Sequence, residues 1–442
     1  MRLKIIATVL TLGWAGAALA QTAVETREVK EVVVVKEEPK APAFVFEMHG
    51  FVSGSLLVQD NSGNNYGQKW LFAGPMYTSD KALFTGDVRQ TRLNFSVRGP
   101  KVFGGATPKA VVEFDMFGSD EVNAGTAASA TVGANGDVSI LPRIRTAYAE
   151  LNWGSHTLAF GQMNMLTITL IPESLTHIAF PVSYAAGTIG WRAPGIWGYH
   201  TFGNDFKLEF AWSIQRSQWI NNVASVTAAN GQNAGTASGI PAFEARLRAM
   251  FGKTFSLWVT GHYQQEDMNG PNVLETAQAN GTRSSTMTTY AYTAGMKLAV
   301  SLLTLQGSAW YGMNTGPLLG NIVQFPANQV SVHGWGAWGQ LGLDFTKNFS
   351  LWLMYGVDIP NPTDARSAGM ARLQNNNAAA MLRYSEGGFG IGLEYVRSQT
   401  LYANYQYSPG QPVVGAGGTG PGSAVGRTQV GQQLALTANY AF

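Results

Sequence analysis

The stretch that decides the fold is Gln432-Gln433-Leu434-Ala435-Leu436-Thr437-Ala438-Asn439-Tyr440-Ala441-Phe442. Leu434, Leu436, Ala438, Tyr440 and Phe442 take every second place. A period of two is that of a strand with one apolar and one polar face. An apolar strand left as a free edge in water templates aggregation, so this one needs a different setting. A terminal strand of this form resembles the assembly signal of Gram-negative outer-membrane β-barrels, and that resemblance implies barrel assembly machinery as a partner.

Working back along the chain, the same alternation returns. Phe206, Leu208, Phe210, Trp212 and Ile214 alternate with Lys207, Glu209, Ala211, Ser213 and Gln215. Phe243, Ala245, Leu247, Ala249 and Phe251 alternate with Glu244, Arg246, Arg248 and Met250. Phe389, Ile391, Leu393 and Tyr395 alternate with Gly390, Gly392, Glu394 and Val396. Aromatics gather near the ends of the apolar faces, as in a membrane girdle, while the other faces carry charge and glycine, as a wet lumen requires. NDFKLEF, KTFSLWV, KNFSLWL and GGFGIGL each set a phenylalanine (Phe206, Phe255, Phe349, Phe389) just after a short polar turn. Between the copies lie long Gly- and Asn-rich loops, including 216–240, 266–285, 313–329 and 400–427. Short turns on one side and long loops on the other are the asymmetry of an outer-membrane barrel. The hairpins predict an all-β transmembrane antiparallel barrel of 16 strands over residues 44–442. An even count lets the first and last strands pair, so no backbone edge is left open in lipid.

Composition agrees. Of 442 residues, 13% are charged, with 52 glycines, 22 phenylalanines, 16 tyrosines, 12 tryptophans and no cysteine. The last fact excludes a disulfide scaffold, a thiolate zinc site, a cysteine nucleophile and a cysteine lipid anchor. Arg2 and Lys4, the apolar run from Ile5 to Ala17 and Ala18-Leu19-Ala20 predict a signal peptide over 1–20. Lys+Arg is 29 and Asp+Glu is 27, so removing Arg2 and Lys4 leaves the two balanced. A balanced chain is not a nucleic-acid binder held by phosphate contacts. Residues 21–43 are expected to be a periplasmic N-terminal tail. A short oligomerisation helix is the other reading, although the β-branched Val32–Val35 suit a helix poorly.

On strands two and three, Arg92, Asn94, Ser96 and Arg98 share one face, and Glu113 and Asp115 share another. A register whose paired numbers sum to 207 sets Arg92 against Asp115 and Asn94 against Glu113. Inward placement is expected, because Arg or Lys on the lipid face near the midplane costs roughly 2–4 kcal/mol. Such pairs either orient solutes or only stiffen the wall. In RIRTAYAELNW, strict alternation offers two arrangements: Arg145 in with Glu150 out, or Thr146, Tyr148 and Glu150 in with Arg145 out. A turn at 152–155 makes an outward Glu150 cheap and favours Arg145 inside. The expected pore-lining set is Arg92, Arg145, Lys207, Arg246, Arg248, Lys297 and Arg383, with Glu113, Asp115, Glu209, Glu244 and Glu394. Its near balance predicts weak charge selectivity.

Residues 163–194 are the least strand-like stretch, apolar and broken by Pro172, Pro181 and Pro194. A loop this long is uncommon unless it has a function. Folded inward it narrows the lumen and places Glu173, His177 and Arg192 at the constriction; the alternative is an outward cap or subunit contact. Trp258, Trp310, Trp338 and Trp352 fall on the inward parity, a candidate aromatic track for sugar-like or amphipathic ligands. Six histidines show no HExxH spacing, and no GxGxxG or P-loop stands between strand and helix, so neither a metal nor a cofactor is expected. Ser174 near His177 is the nearest approach to a nucleophile with a base, and is read as a loop detail, so no enzyme is expected.

The series TRLNFSVRGP (91–100), VVEFDMFG (111–118), RIRTAYAELNWG (143–154), HTLAFGQMNM (156–165), IPESL (171–175) and WRAPG (191–195) resembles the DcaP-like trimeric outer-membrane porins. The resemblance covers roughly residues 45–200. It implies a sixteen-stranded barrel, a homotrimer in outer-membrane lipid, passive uptake of small solutes that are often anionic, and an N-terminal periplasmic extension. Met163-Asn164-Met165 departs from the aromatic or hydroxyl-rich segment usual after this turn. The other function classes left open are a substrate-specific channel and a non-conducting barrel acting as adhesin or structural protein.

Overall fold

The structure is a computed structural model that describes residues 44–60, 68–74, 82–118, 141–217, 234–267, 286–326, 330–403 and 427–442, with short strand pieces at 406–408 and 411–413. The expected signal peptide and tail, residues 1–43, lie outside the described residues.

Sixteen wall strands follow one another: β1 (Val45–Gln59), β2 (in two stretches, Leu83–Asp87 and Arg92–Arg98), β3 (Thr107–Asp115), β4 (Arg143–Asn152), β5 (His156–Asn164), β6 (Arg192–Phe202), β7 (Phe206–Gln215), β8 (Ala242–Phe251), β9 (Phe255–Asp267), β10 (Thr286–Val300), β11 (Leu303–Met313), β12 (His333–Asp344), β13 (Phe349–Pro360), β14 (Arg372–Glu386), β15 (Phe389–Tyr402) and β16 (Arg427–Ala441). Each pairs antiparallel with its neighbours, and both stretches of β2 pair with β1. The ring closes where β1 meets β16, from Phe51 opposite Ala441 to Gln59 opposite Gln433. Phe442 completes the seam by exchanging backbone hydrogen bonds with Gly50, at 3.0 and 3.1 Å. The strand number and closure are those expected from the alternation.

Side chains follow the period. Phe206, Phe210, Ile214, Phe243, Leu247, Leu257, Val259, Leu393, Leu434, Leu436, Tyr440 and Phe442 are exposed on the outer face. Their neighbours in sequence, such as Ser213, Glu244, Arg246, Glu394 and Thr437, are buried inside. The apolar outer face is covered by no other part of the described chain, and the core of the molecule is its lumen.

The β2–β3 hairpin has the expected register, Arg92 opposite Asp115 and Asn94 opposite Glu113. In β4 the choice posed by strict alternation dissolves. The pairing shifts between Glu113 and Phe114 so that Thr146 faces Glu113 while Ile144 faces Phe114, leaving Arg145 as an extra residue. This β-bulge lets Arg143, Arg145, Thr146 and Tyr148 all face inward. The Gln162 amide donates to the carbonyls of Arg145 (3.0 Å) and Ile144 (3.3 Å), supplying partners that the disrupted ladder lacks.

Candidate functional site: the filled and open sides of the lumen

Between β5 and β6 the chain leaves the wall and runs inside the barrel over residues 165–191, slightly shorter than the expected 163–194. Its path is fixed by inward polar side chains. Leu166 N–H donates to Glu244 (2.5 Å) on β8, and Glu244 also accepts from His262 Nδ1 (3.1 Å) on β9. Farther on, the Gln340 side chain of β12 exchanges two 2.8 Å bonds with the Glu173 backbone. Ser174 Oγ (2.6 Å) and His177 Nδ1 (2.5 Å) both donate to Glu394 of β15. Thr176 bonds Thr437 of β16 at 2.8 Å. Asn377 and Asn375 of β14 donate to the carbonyls of Val182 (2.6 Å) and Ala185 (2.8 Å).

Close backbone contact completes the attachment. A Cβ on Gly187, whose φ is +110°, would fall 2.3 Å from the Ala337 carbonyl carbon. A Cβ on Gly356 would fall 2.1 Å from the Ala186 oxygen. Only glycine fits at either place. The loop therefore lies along β12 to β16.

Two further segments fill the same side. Trp70 Nε1 donates to Ser398 Oγ (2.5 Å), Ala73 N–H to Thr400 (2.9 Å) and Tyr402 to the Ala73 carbonyl (2.9 Å). The segment around 314–326, expected as an ordinary long loop, packs Ile322 and Val323 against Phe72 and Ala185. Leu319, Asn321, Ile322 and Val323 there have left-handed φ of +50° to +66°. That conformation is costly for branched side chains. It is held by Asp358, which accepts from Ile322 N–H at 3.1 Å, and by Arg372, which donates to the Ile322 and Val323 carbonyls at 3.2 Å. The sequence signal for both segments is an apolar cluster inside a polar loop: Trp70-Leu71-Phe72, and Leu318-Leu319 with Ile322-Val323.

The opposite wall carries charge in place of loop. Asp115 accepts from Arg143 (2.6 Å) and Arg145 (2.8 Å), and Arg145 also bonds Glu113 (2.8 Å). Arg92 lies 3.8 Å from Glu113, and Arg89 bonds Asp87 at 2.7 Å. Arg192 is buried with its guanidinium 4.0 Å above the Trp191 ring. Arg246 bonds Glu209 at 2.9 Å. Arg248 stands opposite both Glu209 and Trp258 in the ladders. Lys207 and Lys297 lie nearer the short-turn end. In front of this wall a cavity of about 290 Å³ remains, lined by Asn94, Val111, Glu113, Thr146, Tyr148, Tyr199 and Arg246, by Met163 and Asn164 at the end of β5, and by Met165, Leu166 and Ile168 at the loop's beginning.

Two expectations, for His177 and for the four tryptophans, are corrected by this geometry. His177 is wholly buried against Glu394 and is a tether for the loop, so it does not stand at a constriction. Glu173 is half-buried beside Arg383 (3.4 Å), on the loop-bearing wall. The four tryptophans do face in, but they are only 2–6% exposed. Trp258, Trp310 and Trp352 press on Gly295, Gly336 and Gly342 of the adjoining strand, and Trp338 packs on Trp70 and Val182. They fill space and offer no face to a passing solute. Ser174 donates to Glu394, and no bond joins it to the far nitrogen of His177, so the pair lacks the nucleophile–base contact.

A closed wall of sixteen antiparallel strands is an arrangement shared with solved proteins. The crystal structure of the outer membrane channel DcaP of Acinetobacter baumannii superposes with a TM-score of 0.64, covering 91% of this chain and 99% of that one at 16% identity. This chain has a DcaP-like porin fold. An anion-selective porin from Comamonas acidovorans follows at TM-score 0.54 and 11% identity, covering 90% of this chain and all of that one. OmpT of Vibrio cholerae, expressed in the outer membrane, gives 0.51 and 10%, covering 91% and 99%. No family model and no curated protein matches the sequence. Within the porin fold, the tether residues Gln340, Asn375, Asn377 and Thr437 carry no distinguishing signal in the sequence, because uncharged polar residues on an inward face look alike whether or not a loop lies on them.

Proposed function

We propose that this protein is a diffusion channel of a Gram-negative outer membrane, exported by its signal peptide, inserted by the barrel assembly machinery and working as a homotrimer. Small hydrophilic or amphipathic solutes pass between the inward loop and the β2–β8 wall, and the loop narrows the passage. The observation that carries this reading is the one-sided filling of the lumen: residues 165–191 are tied down along β12–β16, and the cavity is left on the other side, beside Glu113 and Arg246.

Electrostatics refine the expected weak selectivity. Arg89, Arg92, Arg143, Arg145, Arg192, Arg246 and Arg248 outnumber Asp87, Glu113, Asp115, Glu209 and Glu244 on the open wall. Fixed charge of one sign on a low-dielectric wall concentrates the opposite ion. A mild preference for anions is the consequence. The loop contributes Met165, Leu166 and Ile168 to the same cavity, beside Met163 of β5, Tyr148 and Tyr199. An apolar strip opposite the paired charges of Glu113 and Arg246 favours amphipathic solutes over simple ions, and this is the form of substrate specificity the cavity supports.

Conductance of the purified chain in a planar bilayer tests the proposal. Stepwise openings in multiples of three with a slightly anion-selective reversal potential are expected. A chain that folds but passes no current, or a strongly cation-selective one, would overturn it. Saturable block by a small aromatic carboxylate, absent with a neutral sugar, would mark specific uptake.

A further inference from the structure

Outside the lumen, two histidines meet at the short-turn rim. His156 opens β5 and His200 lies near the end of β6, directly opposite each other in the ladder. Both share the outward parity of Phe160 and Phe202, which are exposed. Their Nδ1 atoms are 2.9 Å apart. The His200 ring stacks on Phe210 at 6.3 Å, and the His156 ring meets Phe202 edge-on at 6.3 Å. Trp212 Nε1, a donor only, points at His200 Nε2 from 3.2 Å.

That contact fixes the protons. His200 Nε2 accepts, so in the neutral ring its proton sits on Nδ1 and is donated to His156 Nδ1. Two cross-strand imidazoles are thereby held at the rim with Nδ1 facing Nδ1, close enough for one ion to replace the shared proton. At a metal–nitrogen distance near 2.1 Å, a separation of this size subtends about 90° at the metal. This is the angle between neighbouring ligands of a square-planar or octahedral ion, and is too narrow for tetrahedral zinc.

We propose that His156 and His200 form a two-imidazole site on the outer rim for a divalent transition-metal ion with right-angled ligand positions, Cu(II) or Ni(II), with water in the remaining positions. No cluster of three or more His, Asp or Glu capable of holding a metal exists among the described residues, so the site is open and exchangeable. Binding at both Nδ1 atoms displaces the shared proton. If it moves to His200 Nε2, that nitrogen can no longer accept from Trp212. Trp212 therefore competes with the ion, and removing its N–H strengthens the site.

The test is a Cu(II) titration of the full chain without a polyhistidine tag, in detergent, read by nitrogen hyperfine splitting in electron paramagnetic resonance and by tryptophan emission. One ion bound through two nitrogens is expected. H156A and H200A should each weaken it on the order of tenfold or more. W212F should tighten it, and conductance should stay at the wild-type value with and without copper, because the rim lies outside the passage. Equal affinity in wild type, H156A and H200A, or no two-nitrogen signal in the wild type, would overturn the site. Weaker binding by W212F would overturn the proton assignment. Heat-modifiable migration reports barrel folding for each variant, and H200N, which keeps a polar rim, carries the test should H200A not fold.

Discussion

The two halves of the wall hold similar side-chain chemistry and use it differently. Along β12 to β16, each inward polar group looks at another part of the protein: Gln340 at Glu173, Glu394 at Ser174 and His177, Asn375 and Asn377 at loop carbonyls. Along β2 to β8, the inward groups are mostly ions paired with their neighbours on the wall, with a cavity before them. Neutral amides and hydroxyls suit the first task. They satisfy backbone groups of a buried loop without bringing a charge that would itself need a partner. Arginine and carboxylate ladders suit the second, because buried charges there are met by opposite charges on the neighbouring strand. The lesson is that an inward polar residue on a barrel strand becomes glue or lining according to whether a loop covers it.

The comparison breaks most visibly if the covering is removed. Deleting 166–190 should expose the amide wall and raise single-channel conductance several-fold; unchanged conductance would mean that the loop does not limit the passage. Next in size, Trp338→Ala should open a hole under Trp70 and Val182. It should lower stability by about 3–5 kcal/mol, the usual loss for a buried aromatic, as read from the shift in a denaturant-induced unfolding curve. The same truncation of the exposed Trp335, on the outer face of the same strand, should cost much less.

Glu394→Ala should follow. It leaves the Ser174 and His177 donors without an acceptor, at about 1–3 kcal/mol for each buried group. The loop should loosen, and the open-channel current should become noisier at one end of the loop while the Glu244 anchor holds the other. Quiet openings from this variant would show that the tether does not hold the loop. The smallest effect should be Arg92→Ala. This removes one guanidinium from the open wall, leaves the loop contacts intact, and moves the reversal potential a little toward cations with conductance nearly unchanged. An equal shift from Arg383→Ala, on the loop-bearing wall, would erase the distinction between the two sides.

How far the sequence could be read depends on the range of the forces involved. Alternation is local: each strand must turn apolar atoms to lipid and polar atoms to water, whatever its neighbours do. The strands, the closure from Phe51 to Ala441 and the pairing of Arg92 with Asp115 follow from that rule plus short turns. The bulge at Arg145 breaks the rule at one residue, and strict alternation could not accommodate Arg145 and Tyr148 on one face. The tryptophans had the right parity, but whether a loop or a glycine lay against them was not a property of their own strands.

By itself, the sequence determined a wall: which strands form, which face each turns to lipid, and in what order they pair. The tertiary structure decided what that wall encloses. Ser174 and Glu394 are 220 residues apart, and Trp70 and Ser398 are 328 apart. Their meeting depends on closure of the ring, which alone brings late strands opposite early loops. Until that happens, a buried amide and a pore-lining one are the same letter in the chain.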